Sequence, residues 1–300
     1  LTTAPGSPFA VGHNLPVAVL AADMNGDGKL DAVSGASTGG NAKVAVLLGD
    51  GAGGFSPAAG SPYAMNTTGP DEEQQLGVAD INGDGLLDVV GTDDDQLTLL
   101  RGQGGGALLP GFTSSAPAQT NLGGLTVGDF TGDGKLDVFT GDEAPLYKGV
   151  LFQNINGGLV AMGVKTNMGD NPSAGDLNGD GRLDIISTTT GPSDLRGFLV
   201  NNNVFSPIAA PGDPGFFFLT STHLDDLDAD GKLDLVVPGS DGGLTVMQGL
   251  GTGGFVNAPG FPLEIGSFND YATTGDFNGD GQPDVVYSTM DQNTVGVLLN

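Results

Sequence analysis

The chain has 300 residues, with 36 Asp and Glu against 9 Lys and Arg, a formal net charge of −27 and no cysteine. So few and so scattered basic residues exclude a nucleic-acid-binding stripe and an anionic membrane surface as partners, and zero cysteine excludes disulfides and thiolate metal sites. Yet 38% of the residues are hydrophobic and the mean hydropathy is +0.01, so the chain has the apolar content to bury a core, which a disordered acidic chain lacks.

Taken in chain order, the first predicted strand is Val17–Leu20. The string DMNGDGKLD follows from Asp23, then the apolar pair Ala32-Val33, the apolar run Val44–Leu48, a Gly-rich turn at Gly51–Phe55 and a weaker fourth strand at Ser61–Met65. The same order then repeats. The string returns as DINGDGLLD from Asp80, DFTGDGKLD from Asp129, DLNGDGRLD from Asp176, DLDADGKLD from Asp226 and DFNGDGQPD from Asp276. The steps are 57, 49, 47, 50 and 50 residues. A β-branched or apolar pair follows each copy, as at Val89-Val90, Ile185-Ile186 and Val285-Val286, and reads as a strand. A third run follows at Leu97–Leu100, Gly149–Phe152, Phe198–Val200, Leu244–Met247 and Val295–Leu299. Four short strands per repeat, with Gly and Pro turns and no amphipathic helix, make a β-propeller blade.

The sequence therefore predicts an all-β chain: one six-bladed β-propeller over residues 1–300, with four-stranded blades. The step from the last string around to the first is 47 residues, one ordinary repeat. Ala4–Gly12 also resembles Ala58–Asn66 and Ala258–Gly266, which occupy fourth-strand slots. The N-terminal strand is thus expected to complete the C-terminal blade and close the ring. No apolar run approaches the ~18 residues of a membrane-spanning helix, so no membrane insertion is expected.

The string has the form D-x-[N/D]-x-D-G-x-x-D. Hard cations such as Ca²⁺ take six to eight oxygens at about 2.3–2.6 Å in a flexible geometry. Positions 1, 3 and 5 bring short oxygen side chains into one turn, Gly at 6 permits the bend, position 7 offers its carbonyl and position 9 returns a carboxylate. The predicted ligands are Asp23, Asn25, Asp27, Lys29 and Asp31 in the first loop, and Asp80, Asn82, Asp84, Leu86 and Asp88 in the second. The third has Asp129, Thr131, Asp133, Lys135 and Asp137, and the fourth Asp176, Asn178, Asp180, Arg182 and Asp184. The fifth has Asp226, Asp228, Asp230, Lys232 and Asp234, and the sixth Asp276, Asn278, Asp280, Gln282 and Asp284. The position-7 side chains are expected to point outward, their identity free. An EF-hand needs Glu at position 12, where this chain has Ser34, Gly91, Thr140, Ser187, Val237 and Tyr287. Asp, Asn and Gly also make ordinary turns, but six copies that each crowd three Asp repel strongly without a counterion. About six Ca²⁺ are expected, one per blade.

The string, its spacing and the GxGxF-like turns resemble the FG-GAP/VCBS repeats of integrin-α-like β-propellers over essentially the whole chain. The resemblance implies Ca²⁺ in the hairpin between the first two strands of each blade, with partner or ligand binding on the opposite, upper face. Integrin-like members have seven blades, the alternative count here.

Upper-face polar groups are Glu72-Glu73, Asp93-Asp94-Asp95, Asp142-Glu143, Asp194 with Arg196, Asp270 and Asp291-Gln292-Asn293. Such groups can hold a carbohydrate or protein ligand, although no Trp and only four Tyr lower the case for a lectin. His13 and His223 sit in different repeats. Phe55, Phe205 and Phe255 are expected to pack blade on blade. With no catalytic motif, the expected function is a secreted or cell-surface, lectin-like or adhesive binding module, with the periplasm as the alternative location. The alternatives are a polysaccharide-active enzyme with an upper-face pocket and a purely structural module of a larger protein.

Overall fold

β-branched and apolar runs in this chain are short and are separated by stretches rich in Gly, Asp, Asn and Pro. That pattern gives strands and tight turns rather than helices. The computed structural model describes all residues except 1–5, 14–15, 37–41, 66–74, 94, 119, 143–146, 190–194, 210, 216–218, 220, 240–241, 266–270 and 290–293. Among the described residues there is no helix, and so none long and apolar enough to cross a membrane.

Six antiparallel sheets form the six blades of the β-propeller. The first holds β1 (Pro16–Ala22), β2 (Asp31–Ala36), β3 (Lys43–Gly49), β4 (Phe55–Pro57) and β5 (Tyr63–Ala64). The second holds β6 (Leu76–Ala79), β7 (Asp88–Asp93), β8 (Gln96–Gly102) and β9 (Leu108–Ser115). The third holds β10 (Leu122–Gly128), β11 (Asp137–Asp142), β12 (Lys148–Ile155) and β13 (Gly158–Thr166). The fourth holds β14 (Ser173–Gly175), β15 (Asp184–Ser187), β16 (Arg196–Asn201) and β17 (Val204–Pro207). The fifth holds β18 (His223–Asp225), β19 (Asp234–Pro238), β20 (Gly243–Gly249), β21 (Phe255–Asn257) and β22 (Leu263–Glu264). The sixth holds β23 (Ala272–Gly275), β24 (Asp284–Thr289) and β25 (Thr294–Leu298).

In the first and fifth sheets the fourth strand is split. β4 and β5 both pair with β3, and β21 and β22 both pair with β20. A turn closed by Ser61 N–H on Ala58 O at 3.0 Å interrupts the first of these ladders, so only part of the predicted Ser61–Met65 strand is paired. The N-terminal strand expected to complete the last blade falls partly on residues 1–5, outside the described residues. From Gly6 onward that segment runs beside the first sheet, with the Phe9 ring edge-on to Phe55 at 5.4 Å.

The chain forms two compact units: residues 1–127, 135–138 and 150–163, and residues 128–134, 139–149 and 164–300. In the first, Val33, Val44 and Val46 of the first sheet pack on Leu76, Val89 and Leu100 of the second. Val90, Leu97 and Leu99 on the other face of the second sheet pack on Leu122, Val150 and Phe152. In the second unit, Ile186 and Leu195 pack on Leu235, Val237 and Met247, and Val236, Leu244 and Val246 on Val285. Because a sheet packed on both faces must be apolar on both, these middle strands read as continuous runs rather than as an alternation. Each fully buried Val, Leu or Ile contributes about 1.5–3 kcal/mol. Phe205 packs on Phe139 of the third sheet at 5.5 Å and Phe255 packs with Ile186 of the fourth sheet, whereas the ring contact of Phe55 is with Phe9 of the N-terminal segment.

Candidate metal centre

Each D-x-[N/D]-x-D-G-x-x-D string forms the hairpin loop between the first and second strands of its sheet. The geometry starts at position 1. Asp23 Oδ1 accepts the N–H of Gly26 at 2.8 Å and of Asp27 at 3.1 Å, and Oδ2 accepts that of Gly28 at 2.7 Å. Asp80, Asp129, Asp176 and Asp276 repeat the arrangement at their own positions 4, 5 and 6. These N–H groups, that of Gly28 foremost, hold the Asp23 carboxyl below the usual carboxylate range. At position 3, Asn25, Asn178 and Asn278 accept the N–H two residues on. At position 5, Asp27, Asp84, Asp180, Asp230 and Asp280 do the same. The side chains at positions 1, 3 and 5 therefore curl their own loop.

That curl requires left-handed backbone at two positions. Position 4 has φ between +58° and +81°, and position 6 between +80° and +87°. Gly fills both in five loops. In the fifth, Ala229 stands at position 4 with φ +58°, where a Cβ is strained.

Position 9 does something the spacing did not announce. Asp31, Asp88, Asp137, Asp184, Asp234 and Asp284 are all at most 2% exposed. In every loop Oδ1 accepts a main-chain N–H from the end of the third strand or just beyond it: Gly49, Gly102, Asn154, Val200, Gly249 or Asn300, all at 2.8–2.9 Å. Oδ2 accepts the N–H of position 2 in the first, second, fourth, fifth and sixth loops, at Met24, Ile81, Leu177, Leu227 and Phe277. The ninth carboxylate is thus a clamp between loop and sheet. Burial pushes the Asp184 carboxyl up to about 6 and raises those of Asp88 and Asp234 in the same direction.

Position 7 also departs from expectation. Its side chains are exposed, but two turn back rather than outward. Lys29 Nζ lies 3.5 Å from Asp27, and Lys232 Nζ lies 2.5 Å from Asp230. The Lys232 hydrogen bond holds the Asp230 carboxyl below its usual value.

A cation would need several of these oxygens at once. In the fifth loop, carboxylate oxygens of Asp226, Asp228 and Asp234 lie within 4.8 Å of one another. Oxygens on opposite sides of one Ca²⁺ are about 4.6–5.2 Å apart, twice the bond length, so this set fits a single ion. It is the loop with Asp rather than Asn or Thr at position 3. Gln248 Nε2 donates to Asp228 Oδ2 at 2.8 Å and orients it. A cavity of about 220 Å³ adjoins the same loop, with Asp228, Asp234 and Asp284 among largely apolar walls that include Val246, Phe261 and Val285. Two of those three carboxylates are already held by main-chain N–H groups.

The other sequence candidates fare differently. Glu72, Glu73, Asp94, Glu143, Asp194, Asp270 and Asp291–Asn293 lie outside the described residues. Asp142 is buried. His13 Nε2 lies 3.3 Å from Ser34 O, and burial holds the half-buried His223 below its ordinary value, against the opposing pull of Asp225.

The family model described as FG-GAP-like repeat matches residues 23–90, 80–140, 176–237 and 226–287, more than half of the chain. The chain belongs to the FG-GAP-like repeat family. No curated protein sequence matches it. Among solved structures it is similar to an Agrocybe aegerita lectin that recognises non-reducing terminal N-acetylglucosamine, at 23% identity and TM-score 0.63, over 96% of this chain and 81% of that one. A Lactobacillus plantarum protein aligns at 12% identity and TM-score 0.61, over 95% and 84%. BBS1N, solved in complex with ARL6DN, aligns at 12% identity and TM-score 0.62, over 97% and 81%. At these identities the likeness is one of fold.

Proposed function

We propose that this FG-GAP-like chain is a single-domain, calcium-stabilised binding module for a carbohydrate or protein ligand, secreted or at a cell surface, and not an enzyme. The observation that carries the reading is the carboxylate set of Asp226, Asp228 and Asp234, on a loop whose pattern occurs six times. In each loop positions 1, 3 and 5, the position-7 carbonyl and the position-9 carboxylate would hold one Ca²⁺. Six ions would reduce the formal charge from −27 to −15. Bound calcium supplies charge neutralisation to loops the chain has already curled. Carbohydrate is the first ligand class to test, because a lectin with the same fold recognises a terminal sugar.

The test is calcium content and melting with and without chelator. Each site held at a hundred times its Kd contributes about 2.7 kcal/mol. For a chain of this size each kcal/mol moves Tm by about 2–4 °C, so several sites shift it by more than about 10 °C. Unchanged melting in EDTA, with no calcium found by elemental analysis, would falsify the reading.

A further inference from the structure

Asn300 ties two of the metal loops to each other. Its side-chain amide donates to Leu227 O, at position 2 of the fifth loop, and its main-chain N–H donates to Asp284 Oδ1, at position 9 of the sixth, at 2.9 Å. The other oxygen of Asp284 accepts the N–H of Phe277 at 3.0 Å. Leu227 stands between Asp226 and Asp228, and Phe277 between Asp276 and Asn278. One unbroken run of hydrogen bonds thus joins the stretch between the first two candidate ligands of one loop to the matching stretch of the next.

The arrangement recurs. Asn154 donates from its amide to Ile81 O at 2.5 Å and from its main-chain N–H to Asp137 Oδ1 at 2.8 Å, and both amide bonds span 73 residues. The first, second and fifth sheets place Gly49, Gly102 and Gly249 there instead. A Cβ at these glycines would come within 2.2–2.5 Å of the carbonyl oxygen of Leu30, Leu87 or Leu233, so a bridging side chain does not fit. In the fourth sheet the residue is Val200, which has no side-chain donor. Leu177 O of the fourth loop is met by the N–H of Gly253 at 2.9 Å, but it is Gly249 that clamps Asp234.

We propose that Asn300 makes calcium binding at the fifth and sixth loops positively cooperative. The inference rests on the calcium reading and adds that these two sites do not fill independently. Ordering the Leu227 peptide holds Asn300, and with it the Asp284 carboxylate and the Phe277 peptide. The loop that fills second then has less chain freedom left to lose, which is a source of positive coupling between sites. Contiguous hydrogen-bonded networks carry such coupling. Repulsion between two like-charged ions acts in the opposite sense, so the sign of the effect identifies the bridge.

The test is a calcium titration of the full chain followed by NMR at the amides of Gly231 and Gly281, which bond Asp226 and Asp276 at 2.9 Å and so report the fifth and sixth loops separately. Asp280→Ala removes an exposed carboxylate of the sixth loop and leaves the Asp284 clamp in place. It should weaken calcium binding read at Gly231 by about fivefold or more. Asn300→Gly keeps the main-chain N–H and deletes the bridge, and in its presence Asp280→Ala should change that affinity by less than about twofold. Asp180→Ala takes an equivalent charge from the fourth loop, is the control for lost charge, and should also stay below about twofold. Coupling is reciprocal, so Asp228→Ala in the fifth loop should weaken binding read at Gly281 by a factor like that of Asp280→Ala. Asn300→Asp keeps the shape, loses the donor and decides the matter if Asn300→Gly melts early. An equal effect of Asp280→Ala with and without Asn300→Gly, or no effect with Asn300 in place, overturns the coupling and leaves the calcium-dependent module standing. No calcium-dependent shift of either signal overturns the calcium reading and the coupling with it.

Discussion

The buried carboxylate of Asp31 accepts the main-chain N–H of Gly49 at 2.8 Å with one oxygen and that of Met24 at 2.9 Å with the other. Asp31→Ala strands both donors in the interior, at about 1–3 kcal/mol each. Asp27, in the same loop, is exposed, and its carboxylate meets the nearby N–H of Lys29 and the Lys29 ammonium. Chemical denaturation in chelator should therefore show a large loss for Asp31→Ala and almost none for Asp27→Ala. Equal losses would mean that position 9 has no role of its own.

How far the sequence could be read follows from this contrast. Asp, Asn and Gly at fixed offsets announce the curled loops, and β-branched pairs announce the strands that flank them. Position 9 reads in sequence as one more ligand, since nothing local shows that its carboxylate meets Gly49, 18 residues further on. The split outer strand was hidden differently: Pro57, Gly60 and Pro62 announce a turn, but nothing local shows that the short segments on both sides of it pair with the same strand, β3.

Ala229 is the non-glycine residue at position 4, with φ +58°. Ala229→Gly should raise stability by about 0.5–1 kcal/mol: relief of the ~1–2 kcal/mol left-handed cost exceeds the greater freedom gained by the unfolded chain. The readout is the urea midpoint, and an unchanged or lower midpoint counts against strain there.

Lys232 bonds Asp230 at 2.5 Å and so competes with any ion for that carboxylate. Lys232→Gln should raise calcium affinity at the fifth loop severalfold, most visibly at low salt, where exposed charges are least screened. Calorimetric titration at two ionic strengths checks this. A weaker site in the variant would show that the lysine assists binding instead.

His223 titrates below its ordinary value in the folded chain because burial penalises its charged form. The unfolded chain, with a pKa near ~6.5, therefore binds more protons. The stabilisation is complete above about pH 6.5 and is lost as pH falls through the lower folded value. His223→Gln should flatten the stability difference measured between about pH 7.5 and 5.5. An identical slope in the variant removes His223 as its source.

Asn154 is buried. Its amide donates to Ile81 O at 2.5 Å and Leu136 O at 3.1 Å and accepts from Gly157 N at 2.9 Å. Asn154→Ala should cost about 1–3 kcal/mol by orphaning these groups, and thermal melting with calcium saturating gives the value.

The position-9 clamp separates two inheritances that the nine-residue string seems to bind together. Shape depends on Asp31 and its five counterparts, whereas the other acids of the string stand at positions 1 and 5, and at position 3 in the fifth loop alone. The string as written joins two separable demands: a clamp that ties loop to sheet, and a set of acids gathered in the turn.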